Sequence, residues 1–239
     1  MDQLFSHLTV ADIHQELIRN IVSLSETENP FDDLTSSTEE CFLAHQVESD
    51  ARPRPYQSHT PEIDRPFEDA LWFKGIHWPF NNQQTSRFSD GSFGIWYGSD
   101  TLETSVHESA YHWFRGLLCD AGFEQEEVTI ERKLFSVACD ALLLDFRPVA
   151  SNYPNRLHKT DYTFTHSIGA RIHREGHPGL LTLSARHQGG VNYAVLNSNV
   201  LSNPMPHSQL SYRLHGQTIT VEEKSGVLCM EINTSVFFS

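Results

Sequence analysis

The 239-residue sequence predicts an α+β protein, rich in strands in its second half, on three observations. Two stretches, 101–122 and 161–176, carry apolar residues at helical spacing and each ends on a glycine. From residue 127 onward, short β-branched and aromatic runs alternate with Gly, Asn and Pro punctuation, the pattern of strands joined by turns. No GxxxxGK[ST] or GxGxxG loop follows a strand, so neither a P-loop nor a dinucleotide-binding doubly wound fold has support.

The elements follow in order. Val10, Ile13, Leu17, Ile21 and Leu24 recur at steps of three and four, which predicts a helix over 10–24 that Thr9 can cap. Residues 25–65 are acidic, Ser/Thr-rich and Pro-containing and read as an irregular arm. ALWFKGIHW (70–78) and FGIWYGSD (93–100) read as strands. TLETSVHESAYHWFRGLLCDAG (101–122) reads as a helix capped by Asp100 or Thr101. Its apolar face is Leu102, Val106, Ala110, Trp113 and Leu117, and Gly122 is its stop. EVTIERKLFSVACDALLLDF (127–146) holds one or two strands, with a bulge or turn near Cys139–Asp140. DYTFTHSIGARIHREG (161–176) reads as a helix. Segments 179–186, 189–197, 209–216 and 217–223 read as strands. The division that follows is an extension, 1–67, holding the helix and the acidic arm, and a folded domain, 68–239.

Charge narrows the function classes. A net charge of −14 and a pI near 5.3 are unsuited to tracking a nucleic-acid backbone or binding an anionic membrane. No stretch approaches the roughly 20 apolar residues of a membrane span, and the first residues lack the basic and apolar regions of a secretory signal. A cytoplasmic protein is the expectation. Cys41, Cys119, Cys139 and Cys229 are dispersed, with no CxxC pair, and no Cys/His set has zinc-ligand spacing, so reduced structural thiols and no metal are expected.

One constellation stands above this background. Arg87 precedes a Ser-Asp-Gly turn, Tyr97 lies near the end of the next strand, Glu108 lies within the helix after it, and Ser184 ends a later strand. Arginine offers a planar fork for phosphate, and tyrosine a ring for stacking. Glutamate can stabilise positive charge developing on a sugar ring, and serine can bond a hydroxyl or a phosphate oxygen. Each residue taken singly is as readily a surface ion pair, a core tyrosine, a solvated glutamate or a turn serine. His107 and His112 flank Glu108, and His112, four residues on, can pair with it on one helix face. Arg186 can serve a phosphate or an ordinary ion pair.

SRFSDGSFGIWYGSDTLETSVHESAYH, taken with LSARHQGGVNYAVLN, resembles the RES-domain family. The matching positions are Arg87-Phe88, Tyr97, Thr104 with Glu108, and Ser184 ahead of Gly189-Gly190, over approximately residues 68–205. The resemblance implies an ADP-ribosyltransferase-like split mixed β-sheet core with flanking helices. It implies a toxin of a toxin–antitoxin pair that depletes NAD by cleaving the nicotinamide–ribose bond, as a glycohydrolase or phosphorylase, and that an Xre-type antitoxin neutralises. Arg87, Glu108 and Ser184 would be catalytic, and Arg87, Tyr97, Lys74 and Ser184 would bind NAD, which is substrate rather than cofactor. An ADP-ribosyltransferase on the same site and a degenerate binding domain are the alternatives, and the N-terminal segment leaves room for self-association into a homodimer. Many members carry a further arginine on the first strand. Here that strand reads Leu71-Trp72-Phe73-Lys74, and a lysine supplies charge without a bidentate fork.

Overall fold

A computed structural model describes residues 1–22, 75–153, 158, 161–224 and 226–238. The acidic arm over 25–65, Cys41, residues 70–74 of the first expected strand, and Lys74 lie outside the described residues.

After a short helix α1 (Asp2–Phe5) the chain enters strand β1 (Thr9–Val22), where a helix was expected. The strand pairs antiparallel with β5 (Val128–Asp145) along its whole length, from Thr9 opposite Asp145 to Val22 opposite Arg132. The misreading has a plain cause. Ile13, Leu17 and Ile21 are four apart, a spacing that one helix face and one strand face share. The strand face is completed by Ala11, Gln15 and Arg19, and its two polar members hid the alternation. Ala11, Ile13, Leu17 and Ile21 pack into the core, whereas Val10 is 58% exposed.

Residues 75–81 are helical (α2), so 75–78 do not extend a strand. Strands β2 (Thr85–Ser86) and β3 (Ser89–Asp90) form a small hairpin around Arg87, and β4 (Trp96–Ser99) follows. Helix α3 begins at Leu102, and Thr101 accepts the Thr104 N–H as its cap. At Phe114–Leu118 it passes through a π-helical turn, then ends at Ala121 with Gly122 left-handed at φ 76°. The π turn rotates the later residues, so Val106, Ala110 and Trp113 are buried while Leu117 is 54% exposed. Helix α4 (Thr163–Glu175) ends at left-handed Gly176, as expected. Strands β6 (Gly179–Leu183), β7 (Val191–Val195), β8 (Leu201–His215), β9 (Thr218–Lys224) and β10 (Val227–Asn233) complete the chain. The chain therefore has the expected α+β fold.

The main sheet runs β1-β4-β7-β6-β5-β8-β9-β10, and β1 pairs with β5 as well as β4. The strands β1, β4, β7, β6 and β5 thus close on one another, and β8–β9–β10 fork away from β5. The β5–β6 pair is parallel and the others are antiparallel, which makes the sheet mixed. β5 is one strand. Its irregularities against β8 fall between Leu134 and Ala138, slightly before the expected Cys139–Asp140 position. Leu17, Trp96, Phe135, Val137 and Leu143 fill the closed part. A second cluster joins α3 to β8, β9 and β10. A third holds α4 against Phe88 and Phe93. Cys139 is buried, Cys119 half-buried and Cys229 exposed, all as free thiols. No helix among the described residues is long and apolar enough to cross a membrane.

Candidate active site

A cavity of about 630 Å³ opens between α3, the β2–β3 hairpin and the inner ends of β1, β4, β5 and β7. Arg87, Tyr97 and Glu108 all line it, together with Arg19, Arg132 and Asn192. Three residues singled out in the sequence therefore meet on one surface, and Ser184 joins them through Glu108.

Glu108 sits on the second turn of α3. Ser184 Oγ and Asn192 Nδ2 both donate to its Oε1 at 2.6 Å, and Ser99 Oγ donates to Asn192 Oδ1 at 2.8 Å. Among the described residues Oε2 takes no protein hydrogen bond. One carboxylate oxygen is thereby fixed by β4, β7 and the loop after β6, and the other is left for a ligand. Ser184 is itself held, because its Oγ accepts the backbone N–H groups of Arg186 and His187 at 3.0 Å. The serine is 8% exposed and acts here as a connector between loop and carboxylate.

Arg87 is placed by packing of its hairpin on α4. A side-chain carbon at Gly169 would lie 1.7 Å from the Phe88 carbonyl oxygen, so only glycine permits that approach. His166 Nε2 lies 2.8 Å from the Ser86 carbonyl oxygen. The Arg87 guanidinium lies over the Tyr162 ring, 4.7 Å from its centroid, and donates to the His158 carbonyl at 2.9 Å. Tyr97 bridges this hairpin to β4. Its hydroxyl is 2.9 Å from Ser86 Oγ and accepts the Phe88 N–H at 3.2 Å. Burial pushes the phenol pKa up to about 12 despite those bonds.

Two arginines that carried no sequence signal stand in the opposite wall, beside Ile18, Asn20, Val22 and Ile130. Arg19, on β1, donates to the Tyr97 carbonyl at 2.6 Å and lies over Trp96. Arg132, on β5, donates to Asn20 through Nε at 2.7 Å and is 8% exposed. Neither pairs with a carboxylate among the described residues. Burial, and then the charge of Arg132, lower the Arg19 pKa to about 10. Burial likewise lowers that of Arg132. Arg19 was hidden because β1 read as a helix. Arg186 stacks on Tyr111 at 3.4 Å from the ring centroid. His112, at the cavity edge, has its pKa lowered first by desolvation and then by Arg186, Arg87 and Arg132, with Glu108 opposing.

Away from the cavity, Glu103, His107 and His187 bring one ligand-type atom each within 4.8 Å of one another. They have no metal-motif spacing in the sequence.

The arrangement can hold an extended anionic molecule on its cations while the free oxygen of Glu108 faces a centre gaining positive charge. The RES domain family model matches residues 54–215, more than half of the chain. No curated protein sequence matches. Among solved structures, the crystal structure of the M. tuberculosis MbcT–MbcA toxin–antitoxin complex aligns with 99% of this chain and 93% of that one, at 10% identity and a TM-score of 0.46.

Proposed function

The chain belongs to the RES-domain family, and from that premise we propose that it is the toxin of a toxin–antitoxin pair that destroys NAD by breaking the nicotinamide–ribose bond. The observation that carries this reading is Glu108, fixed through one oxygen by Ser184 and Asn192 and presented to a cavity walled by Arg87, Arg19 and Arg132.

NAD enters with its diphosphate against the cations. Arg19 and Arg132 add two cations to Arg87, the Nε–Nη2 edge of Arg132 being held by Asn20. Burial of uncompensated guanidinium groups is costly, and a bound diphosphate offsets that cost. The nicotinamide ribose lies toward Glu108. As the C1′–N bond lengthens, its electron pair passes to nicotinamide, which leaves neutral, and positive charge builds on the ribose ring. The Glu108 carboxylate stabilises that charge. Water then adds at C1′ and releases one proton, giving ADP-ribose. Phosphate adding in place of water gives ADP-ribose 1-phosphate. Tyr97 keeps the Arg87 hairpin against β4, and Ser184 keeps Glu108 oriented. An Xre-type antitoxin is the proposed partner, acting by occluding the cavity mouth.

The test is nicotinamide release from NAD by the purified chain, with products resolved by chromatography. Free ADP-ribose identifies hydrolysis, ADP-ribose 1-phosphate in phosphate buffer identifies phosphorolysis, and label retained on protein identifies transfer. No nicotinamide release under any of these conditions, and no loss of cellular NAD on expression, would overturn the reading.

A further inference from the structure

Glu103 and His107 lie one turn apart on α3, four residues from each other, so both project from one face of the helix. His187 approaches that face from the loop joining β6 to β7, the same loop whose Ser184 orients Glu108. His187 Nε2 lies 3.4 Å from Glu103 Oε1. Its Nδ1 lies 3.0 Å from Thr104 Oγ1, a contact that fixes the ring and leaves Nε2 as the outward nitrogen. The rings of His107 and His187 are parallel within 3°, with centroids 4.9 Å apart. His107 Nδ1 is buried and has no hydrogen-bond partner. Burial, and then the neighbouring His187, lower the His107 pKa.

The loop is closely fitted here. A side-chain carbon at Gly190 would lie 2.4 Å from Thr104 Oγ1 and 2.9 Å from His187 Nδ1. The groups therefore belong to a packed junction between α3 and the loop, outside the residues that line the cavity.

We propose that Glu103, His107 and His187 form a binding site for one divalent transition-metal ion, of the zinc type, that clamps the β6–β7 loop to α3. Two imidazoles and one carboxylate are a ligand set that zinc and its neighbours accept, with a fourth position left for water. Metal–ligand bonds of about 2.1 Å need donor atoms about 3.4 Å apart. The present spread of up to 4.8 Å closes by rotation of the exposed Glu103 side chain and of the His107 ring. The ion would take no part in bond cleavage. It would fix the loop that carries Ser184 to the part of α3 where His107 immediately precedes Glu108.

The experiment uses the full chain freed of metal by chelator. Zn²⁺ binding is titrated calorimetrically, and Co²⁺ is added as a spectroscopic probe of coordination. Wild type is expected to bind one ion at this site, to show visible Co²⁺ absorption from a low-symmetry nitrogen/oxygen site, and to melt at higher temperature with Zn²⁺ present. His107→Gln and His187→Gln should each weaken that binding at least about tenfold and remove the Co²⁺ band. Glu103→Gln, at an exposed position that leaves folding intact, should weaken it as well. His215→Gln, at the exposed His215–Glu127 pair, should change nothing. Circular dichroism checks that each variant is folded. Unchanged Zn²⁺ affinity in a folded His107→Gln/His187→Gln chain, or no Co²⁺ band in wild type, would overturn the proposal. Neither result bears on whether NAD is cleaved.

Discussion

On the α3–β7 side of the cavity Glu108 receives hydrogen bonds from Ser184 and Asn192, and those donors are in turn held by the backbone and by Ser99. On the β1–β5 side Arg19 and Arg132 are held by a carbonyl and an asparagine, and neither meets a carboxylate among the described residues. Both sides are polar and both are substantially enclosed, yet only one is electrostatically self-sufficient. A pre-bonded carboxylate needs no reorganisation when positive charge develops in front of it. An uncompensated cation gains most from an incoming anion. The contrast assigns chemistry to the first wall and substrate capture to the second.

The largest expected effect breaks the first wall. Glu108→Gln keeps the shape and removes the charge, and nicotinamide release should fall on the order of 100- to 1,000-fold. KM should change little, because the cations are untouched. An equal loss spread over kcat and KM would erase the division of labour.

Next come the cations. Arg19→Met or Arg132→Met should raise the KM for NAD at least about tenfold while kcat falls less. The melting temperature should hold or rise, since a desolvated charge is removed from a buried position. Each substitution also strands an acceptor, Asn20 Oδ1 in Arg132→Met and the Tyr97 carbonyl in Arg19→Met, so the two variants are read against each other. A fall in kcat with KM unchanged would move the arginines to the chemical wall.

Asn192→Ala is expected to have a smaller effect. It removes one of two donors to Glu108 Oε1 and leaves Ser99 Oγ without its acceptor. A net hydrogen bond of about 1 kcal/mol corresponds to a loss of about fivefold in kcat, with Ser184 still in place. An effect as large as that of Glu108→Gln would make Asn192 a substrate contact rather than a support.

The two walls were unequally legible in the sequence. Arg87, Tyr97 and Glu108 lie within one short stretch, on a hairpin, a strand and a helix whose turn and cap residues mark their ends, so local chemistry and family resemblance both pointed to them. Ser184 was marked as a hydroxyl at a strand end and again by the resemblance, but its bond to Glu108 spans 76 positions that no local pattern joins. Asn192 stood in the quoted β7 string without a role, because an asparagine in a strand has no signal until its partner is known. Arg19 was hidden by a period error, since the four-residue steps Ile13, Leu17 and Ile21 fit a helix and a strand alike. Arg132 lies in a strand that was read correctly, but its approach to Arg19 depends on the β1–β5 pairing. That pairing is a long-range fact that burial of Leu17, Phe135 and Val137 in one cluster creates. Helices α3 and α4 were legible because the Thr101 cap of α3 and the glycine stops of both are encoded within a few residues.

The smallest expected effect is the sharpest measure of the difference between the walls, because it reads the field between them. His112 is depressed by desolvation first and then by Arg186, Arg87 and Arg132, while Glu108 pulls in the opposite direction. For a histidine whose folded pKa lies below its unfolded value, the folded state binds fewer protons, so its contribution to stability is present above about pH 6.5 and is lost as pH falls through the folded pKa. An anion seated on the arginines cancels part of their repulsion and raises the His112 pKa. By linkage, ADP-ribose should bind more tightly as pH falls through that range, and the His112 ring resonances should titrate at higher pH in its presence. Adenosine, which carries no phosphate, should leave the titration where it is. A His112 pKa that adenosine and ADP-ribose move equally would mean that the diphosphate does not sit on the cationic wall. The shift would then come from desolvation alone, and the electrostatic contrast between the two sides of the cavity would lose its functional meaning.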